Sequence, residues 1–214
     1  MQEFIKKDAP TSNVQQRILE AAGKIFAEKG FKNASVREIC ERAEVNIAAV
    51  NYHFSGKEAL YVEVVKHWKD VAFEKFPFDF AQDESNSPED RLRYFIKCVL
   101  LHTLYEVESP WFGTFMARES IEPTKAIQEL TEESIGPSIN LLFSIVKLLL
   151  GKIASDETIR LYSASILGQC TFYQYSPHII KNHFKTPEFT LEEIDKLANH
   201  ITEFSLAVIK GFSN

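Results

Sequence analysis

Apolar residues recur along this chain at intervals of three and four, the period of helices that each bury one stripe. Ile18, Ala22, Ile25 and Phe26 form the first stripe, and Gly30 stops it. Ser35 and Glu38 follow at capping-box spacing, in which the serine oxygen takes one orphan N–H and the glutamate returns to the cap's own N–H. Val36, Ile39, Cys40 and Ala43 supply the stripe behind that cap, Val45 plugs a short turn, and Asn46 is a good N-cap for a further helix whose Val50 faces inward. A longer segment then carries Leu60, Val64, His67, Trp68 and Val71 at helical spacing. The pattern predicts helices at 12–29, 35–42, 46–52 and 57–76, a loop of turn residues over 76–88, and helices at 88–107, 110–120, 123–134, 137–151, 156–175 and 190–211. Pro88, Pro110, Pro123 and Pro137 fall where a first helical turn tolerates proline. Residues 1–10 form a polar lead, expected to be mobile. No alternation of the strand kind, bounded by turns, occurs, so the expected fold is all-α.

Two helices of about two turns each, joined by three or four residues, match the helix-turn-helix design, whose second helix enters the major groove. The residues such a helix aims at base edges are Asn46, Ile47, Ala48, Ala49 and Asn51. An asparagine bonds an adenine edge bidentately, and Ile47 and the alanine methyls suit a thymine methyl.

The order of Ser35, Ile39, Ala43, Val45, the Asn46-capped helix and Tyr52-His-Phe-x-x-Lys-Glu-x-Leu60 resembles the N-terminal domain of TetR-type transcriptional regulators. The upstream stretch Arg17–Phe31 resembles that family's first helix. Farther on, Trp111-Phe-Gly-Thr-Phe-Met-Ala-Arg-Glu119, Leu167-Gly-Gln-Cys170 and His200-Ile-Thr-Glu-Phe-Ser205 resemble the CecR-like branch. The resemblance implies a three-helix helix-turn-helix domain at 1–56, a connecting helix at 57–76, and a helical ligand-binding and dimerisation domain at 77–214. It also implies that Tyr52, His53 and Lys57 approach phosphates, Lys57 from a helix N-terminus whose dipole attracts them, with Ser35 among the DNA-facing residues.

The second half is loaded with aromatics: Trp111, Phe112, Phe115, Phe143, Phe172, Tyr173 and Tyr175, with Met116 among them. Taken one by one they suit an ordinary core. As the region in which the resembled family binds an effector, they suit an apolar pocket with His102, Arg118, Glu119 and Gln169 as orienting polar groups. Ile194, Leu197, Ile201, Phe204 and Val208 make a coiled-coil-like seam, and Ile159, Tyr162, Ile166, Cys170 and Tyr173 a second apolar row. Two such helices at the end of the chain suit either an intramolecular core or a four-helix bundle shared by two copies, which the resemblance implies.

Net charge is −6, at first sight unfavourable to a nucleic-acid partner, but it is unevenly spread: residues 1–60 sum to +1 and the remainder to −7. A near-neutral reading domain needs a second copy for affinity, and phosphates need only a local positive face. Cys40, Cys98 and Cys170 show no paired spacing and are expected to be buried thiols. His178 and His183, five apart, do not share a helix face, and no set of residues has metal-ligand spacing. No phosphate loop, Gly-x-Ser-x-Gly or His-Glu-x-x-His occurs. Without a membrane-spanning run or signal segment, the protein is expected to be soluble and cytoplasmic. The expectation is a homodimeric, one-component transcriptional regulator, needing no cofactor, that binds double-stranded palindromic operator DNA and is released by a small-molecule effector. Its rivals are a helical small-molecule binder or enzyme that leaves its DNA-binding module unused, and a purely structural helical dimer.

Overall fold

The computed structural model describes residues 10–105, 111–121, 123–124, 135–176, 179–185 and 189–212. The polar lead over 1–9, Pro110 and most of the helix expected over 123–134 lie outside the described residues. The elements are α1 (Pro10–Asn33), α2 (Val36–Ala43), α3 (Ile47–Phe54), α4 (Lys57–Lys75), α5 (Asp79–Gln82), α6 (Pro88–Leu104), α7 (Phe112–Ile121), α8 (Gly136–Leu150), α9 (Asp156–Tyr175) and α10 (Leu191–Phe212), with a π-helical segment at Ile180–Phe184. The fold is all-α, and no strand occurs among the described residues.

Local chemistry accounts for most boundaries. The capping box at α2 is complete: Glu38 N donates to Ser35 Oγ at 3.2 Å, and Ser35 N donates to Glu38 Oε2 at 3.3 Å. Gly30, at φ +74, kinks α1, and one further turn continues to Asn33. Pro88 and Pro137 open α6 and α8 at first-turn positions. The segment 76–88 departs from the expected loop because it carries α5. Phe78 and Ala81 are drawn into the core, while buried Arg91 donates from Nε to the Ala81 carbonyl at 2.8 Å and fixes the turn from the far side. That anchoring is tertiary, so turn residues alone do not reveal it.

The chain forms two compact units, one of Met1–Asp70 with Ser109–Glu129 and one of Val71–Glu108 with Leu130–Asn214. The core of the first gathers Ile18, Phe26, Ile39, Val50, Leu60 and Phe115. Each such side chain contributes about 1.5–3 kcal/mol on burial. The core of the second is built by α6 against α5, α8, α9 and α10, around Leu92, Phe95, Leu100, Leu142, Ile145 and Ile194.

The expected seam on the last helices divides into two rows. Ile194 and Ile201 of α10 and Ile159, Ile166 and Cys170 of α9 are buried in the core of their own unit. Phe204 and Val208 of α10, together with Leu161, Phe172 and Tyr175 of α9, face outward. All three cysteines are free and buried. Burial pushes the thiols of Cys98 and Cys170 up to about 12, so they remain protonated and act as small apolar groups.

Candidate nucleic-acid interface

Two buried residues, Val50 and Phe54, fix which way α3 faces. Asn46 starts the helix by accepting the Ala49 N–H on Oδ1 at 2.9 Å, so one side of its amide is occupied in capping. With that rotation set, Asn46, Ile47, Ala48, Asn51 and Tyr52 are exposed, and Ala49 and His53 are half-buried. Tyr52 is 82% exposed and meets His53 edge to face at 5.0 Å. A phenol and an isoleucine left out of a helix that has a core available form an apolar and hydrogen-bonding surface rather than packing. Ser35 is exposed too, but its hydroxyl is engaged with Glu38.

Behind α3 the chain turns through Ser55, at φ +58, and Gly56, at φ +120, into α4. Lys57 opens α4, and its ammonium donates to the Ala34 carbonyl at 2.7 Å while lying 4.6 Å from the centre of the Phe31 ring. It therefore ties the turn after α3 to the loop between α1 and α2. This positioning role is not legible in the sequence, and it stands beside the phosphate contact expected of Lys57.

The charge of this unit is compensated internally. Arg37 pairs with Glu41 and Arg42 with Glu28, both at 2.9 Å, Lys24 pairs with Glu20 at 3.0 Å, and Lys29 pairs with Glu38. The bond from Arg42 holds the Glu28 carboxyl below the usual range, and that from Lys29 does the same for Glu38. Exposed pairs of this kind are weak and are screened by salt, so phosphates can compete for the cations.

The residues expected to bind a ligand are distributed over both units. In the first, Trp111 lies against α1 at Gly23, where an added Cβ would stand 1.9 Å from Trp111 Cη2. Phe112 and Phe115 adjoin it at 6.2 and 6.0 Å, and Met116 is half-buried on the same helix. Glu119 is buried and accepts from Tyr61 Oη, from Thr124 N at 3.1 Å and from Thr124 Oγ1 at 2.9 Å. Burial first, and the bond to Glu119 second, push the Tyr61 phenol upward. Glu119 thus serves as an internal tie.

In the second unit, His102 stacks on Phe73 at 4.7 Å with its Nε2 at 2.8 Å from the Phe76 carbonyl. Phe143 and Tyr173 pack against the core. Gln169 lines an open groove between α9 and α10 with Tyr162, Ser165, Phe204 and Val208. The structure therefore joins Trp111, Phe112 and Phe115 in one cluster and gives His102 and Gln169 separate surroundings. Trp68, Tyr61 and Gly23, which complete the first cluster, escaped sequence reasoning.

One prediction follows from Gly23. Replacement by Ala gains about 1 kcal/mol of helix propensity but forces the Trp111 ring to move, an overpacking cost of up to about 3 kcal/mol. Gly23→Ala should lose about 2 kcal/mol in urea unfolding and alter tryptophan emission; unchanged stability and emission would place the ring elsewhere.

A capped helix-turn-helix whose second helix is anchored by two residues and exposes a mixed polar and methyl face belongs to a DNA-binding transcriptional regulator. Comparison with known families agrees over most of the chain. Residues 18–64 match the model of bacterial regulatory proteins of the tetR family, and residues 88–209 match that of the C-terminal domain of the HTH-type transcriptional dual regulator CecR. The chain belongs to the TetR family, in its CecR-type branch. It is 25% identical to the HTH-type transcriptional dual regulator CecR of Shigella flexneri over 207 residues, 93% of this chain and 92% of that protein. It is 27% identical over 176 residues to the HTH-type transcriptional repressor NicS of Pseudomonas putida, covering 78% of this chain and 79% of that one. Among solved structures, HlyIIR, a hemolysin II transcriptional regulator, superposes with a TM-score of 0.61 at 25% identity over 90% of this chain and 98% of its own. The family and these relatives are transcriptional regulators rather than enzymes. No helix among the described residues is long and apolar enough to cross a membrane.

Proposed function

We propose that the protein is a cytoplasmic repressor that binds a palindromic operator as a homodimer and is released by a small-molecule effector. The observation that carries this reading is the α3 face, on which Ile47, Asn51 and Tyr52 are exposed while Val50 and Phe54 hold the helix in place. Asn51 reads a base edge, Ile47 with Ala48 and Ala49 contacts thymine methyls, and Tyr52, His53 and Lys57 approach phosphates. Lys57 retains ammonium protons beyond the bond to Ala34, while Asn46 and Ser35 act mainly as caps. The near-neutral reading unit supports the use of two copies, and the outward apolar row on α9 and α10 supplies a face for pairing. The aromatic cluster of Trp111, Phe112 and Phe115 in the first unit supplies apolar walls suited to an effector.

Selection of bound sequences from a random duplex pool tests the proposal. An enriched palindrome with half-sites about 34–36 Å apart, or a multiple of that, is expected; no enrichment would overturn it. With the operator in hand, Asn51→Ala should relax preference at one position by about 1–3 kcal/mol. Tyr52→Ala should instead weaken matched and scrambled duplexes alike, as loss of a phosphate contact does. If Asn51→Ala weakens both duplexes equally, its side chain does not read a base.

A further inference from the structure

The chain holds two tryptophans, Trp68 and Trp111, and the fold places them side by side in the reading unit, ring centres 5.4 Å apart and planes at 89°. Both are more than nine-tenths buried, at 7% and 8% exposure. Neither indole Nε1 has a hydrogen-bond partner among the described residues. A buried indole N–H normally finds an acceptor, because leaving it unpaired forfeits its hydration without return. Two such donors on adjoining rings, one from α4 and one beside α7, are a conspicuous exception. The rings are held from several sides: Trp111 by Gly23 of α1 and by Phe112 and Phe115, Trp68 by an edge-to-face contact with His67 at 4.9 Å.

We infer that Trp68 and Trp111 form a donor pair for the uncharged carbonyl oxygen of a small apolar molecule, bound within the unit that carries α3. The preference for a neutral acceptor comes from the surroundings. Aromatic walls offer an anion little solvation, and Glu119, one turn past Phe115, is a buried carboxylate in the same unit whose oxygens are taken up by Tyr61 and Thr124. A ketone, ester or amide oxygen satisfies the N–H groups without bringing a second negative charge close. Apolar substituents on the carbonyl carbon suit the aromatic walls. The inference refines the effector proposed above and rests on that reading for its regulatory meaning, since an occupant here sits in the unit that reads DNA.

With two tryptophans in the chain, an isotope-labelled sample of the full protein gives two indole N–H resonances, assignable with Trp68→Phe and Trp111→Phe. The probes are acetophenone, its hydrocarbon counterpart ethylbenzene, and benzoate. Acetophenone should shift at least one indole proton downfield and bind about tenfold more tightly than ethylbenzene, with benzoate weaker than the ketone. Trp68→Phe, which keeps the ring and loses the donor, should narrow the gap between ketone and hydrocarbon. Equal binding of ketone and hydrocarbon, tighter binding of benzoate, or indole signals that no probe moves, as a resident water would leave them, overturns the inference. If either variant fails to fold, the comparison of probes on the native protein decides alone. Operator retention by the same sample separates a failure here from a failure of the regulator proposal.

Discussion

Phe204→Glu combined with Val208→Glu should give a folded monomer without operator affinity, whereas Ile201→Glu should not fold. The three positions lie within about two turns of α10, yet they face different surroundings. Ile201 is 1% exposed in the core with Ile194 and the α6 residues, while Phe204 and Val208 are 56% and 48% exposed beside the groove shared with Tyr162 and Gln169 of α9. A carboxylate at 201 has no partner and must be desolvated, at several kcal/mol. That is a large part of a total stability of about 5–15 kcal/mol. At 204 and 208 the same group remains hydrated in the monomer, and its burden falls on the face where a second copy would pack. Operator binding by one near-neutral reading unit should then drop to the non-specific range, about 10⁻⁴–10⁻⁶ M at physiological salt. Circular dichroism, sedimentation velocity and operator titration of the two variants separate folding, association and DNA binding. A double variant that still sediments as a dimer would place the pairing face elsewhere.

The contrast between Ile201 and Phe204 also shows where sequence reasoning stops. A row of apolar residues at three-and-four spacing marks a buried helix face, and α10 carries two such uses on one broad stripe. The period does not separate the row that packs on α6 from the row that faces outward. Features decided within a few residues were legible: the Ser35–Glu38 box, the Asn46 cap and the inward Val50 follow from hydrogen bonding and side-chain direction over a single turn. Features decided by distant parts of the chain were not. Trp111 is expected on a pocket wall from its place in the aromatic run, and the fold also brings the segment around it back to Gly23 of α1, a contact that no local period encodes. The resemblance places Lys57 near phosphates, and nothing local signals that its ammonium also reaches the Ala34 carbonyl across 23 positions of sequence. Phe78 and Ala81 read as parts of a loop because their burial depends on Arg91 and α6 arriving later in the chain.

His102 carries the largest pH effect expected of the second unit. Burial lowers its pKa from 6.5 to about 4, against the opposing effect of the Phe76 and Ala72 carbonyls. The ring is sandwiched beside Phe73 and meets Phe78 edge to face at 5.3 Å, while Nε2–H donates to the Phe76 carbonyl. The folded chain thus keeps the imidazole neutral where the unfolded chain binds a proton. Stability from this site is complete above about pH 6.5 and is lost as pH falls toward about 4, because the unfolded state takes up the proton first. The full difference is on the order of 3 kcal/mol, of which about 2 kcal/mol is gone by pH 5. His102→Gln retains an amide donor for the Phe76 carbonyl and does not titrate. Urea unfolding between pH 7.5 and 5 should therefore show the native protein weakening by about 2 kcal/mol more than this variant does. Parallel loss in both proteins would mean that the ring is solvated and free to charge. An orienting contact to an effector would then again be open to it, in place of the structural bond that fastens α6 to the end of α4.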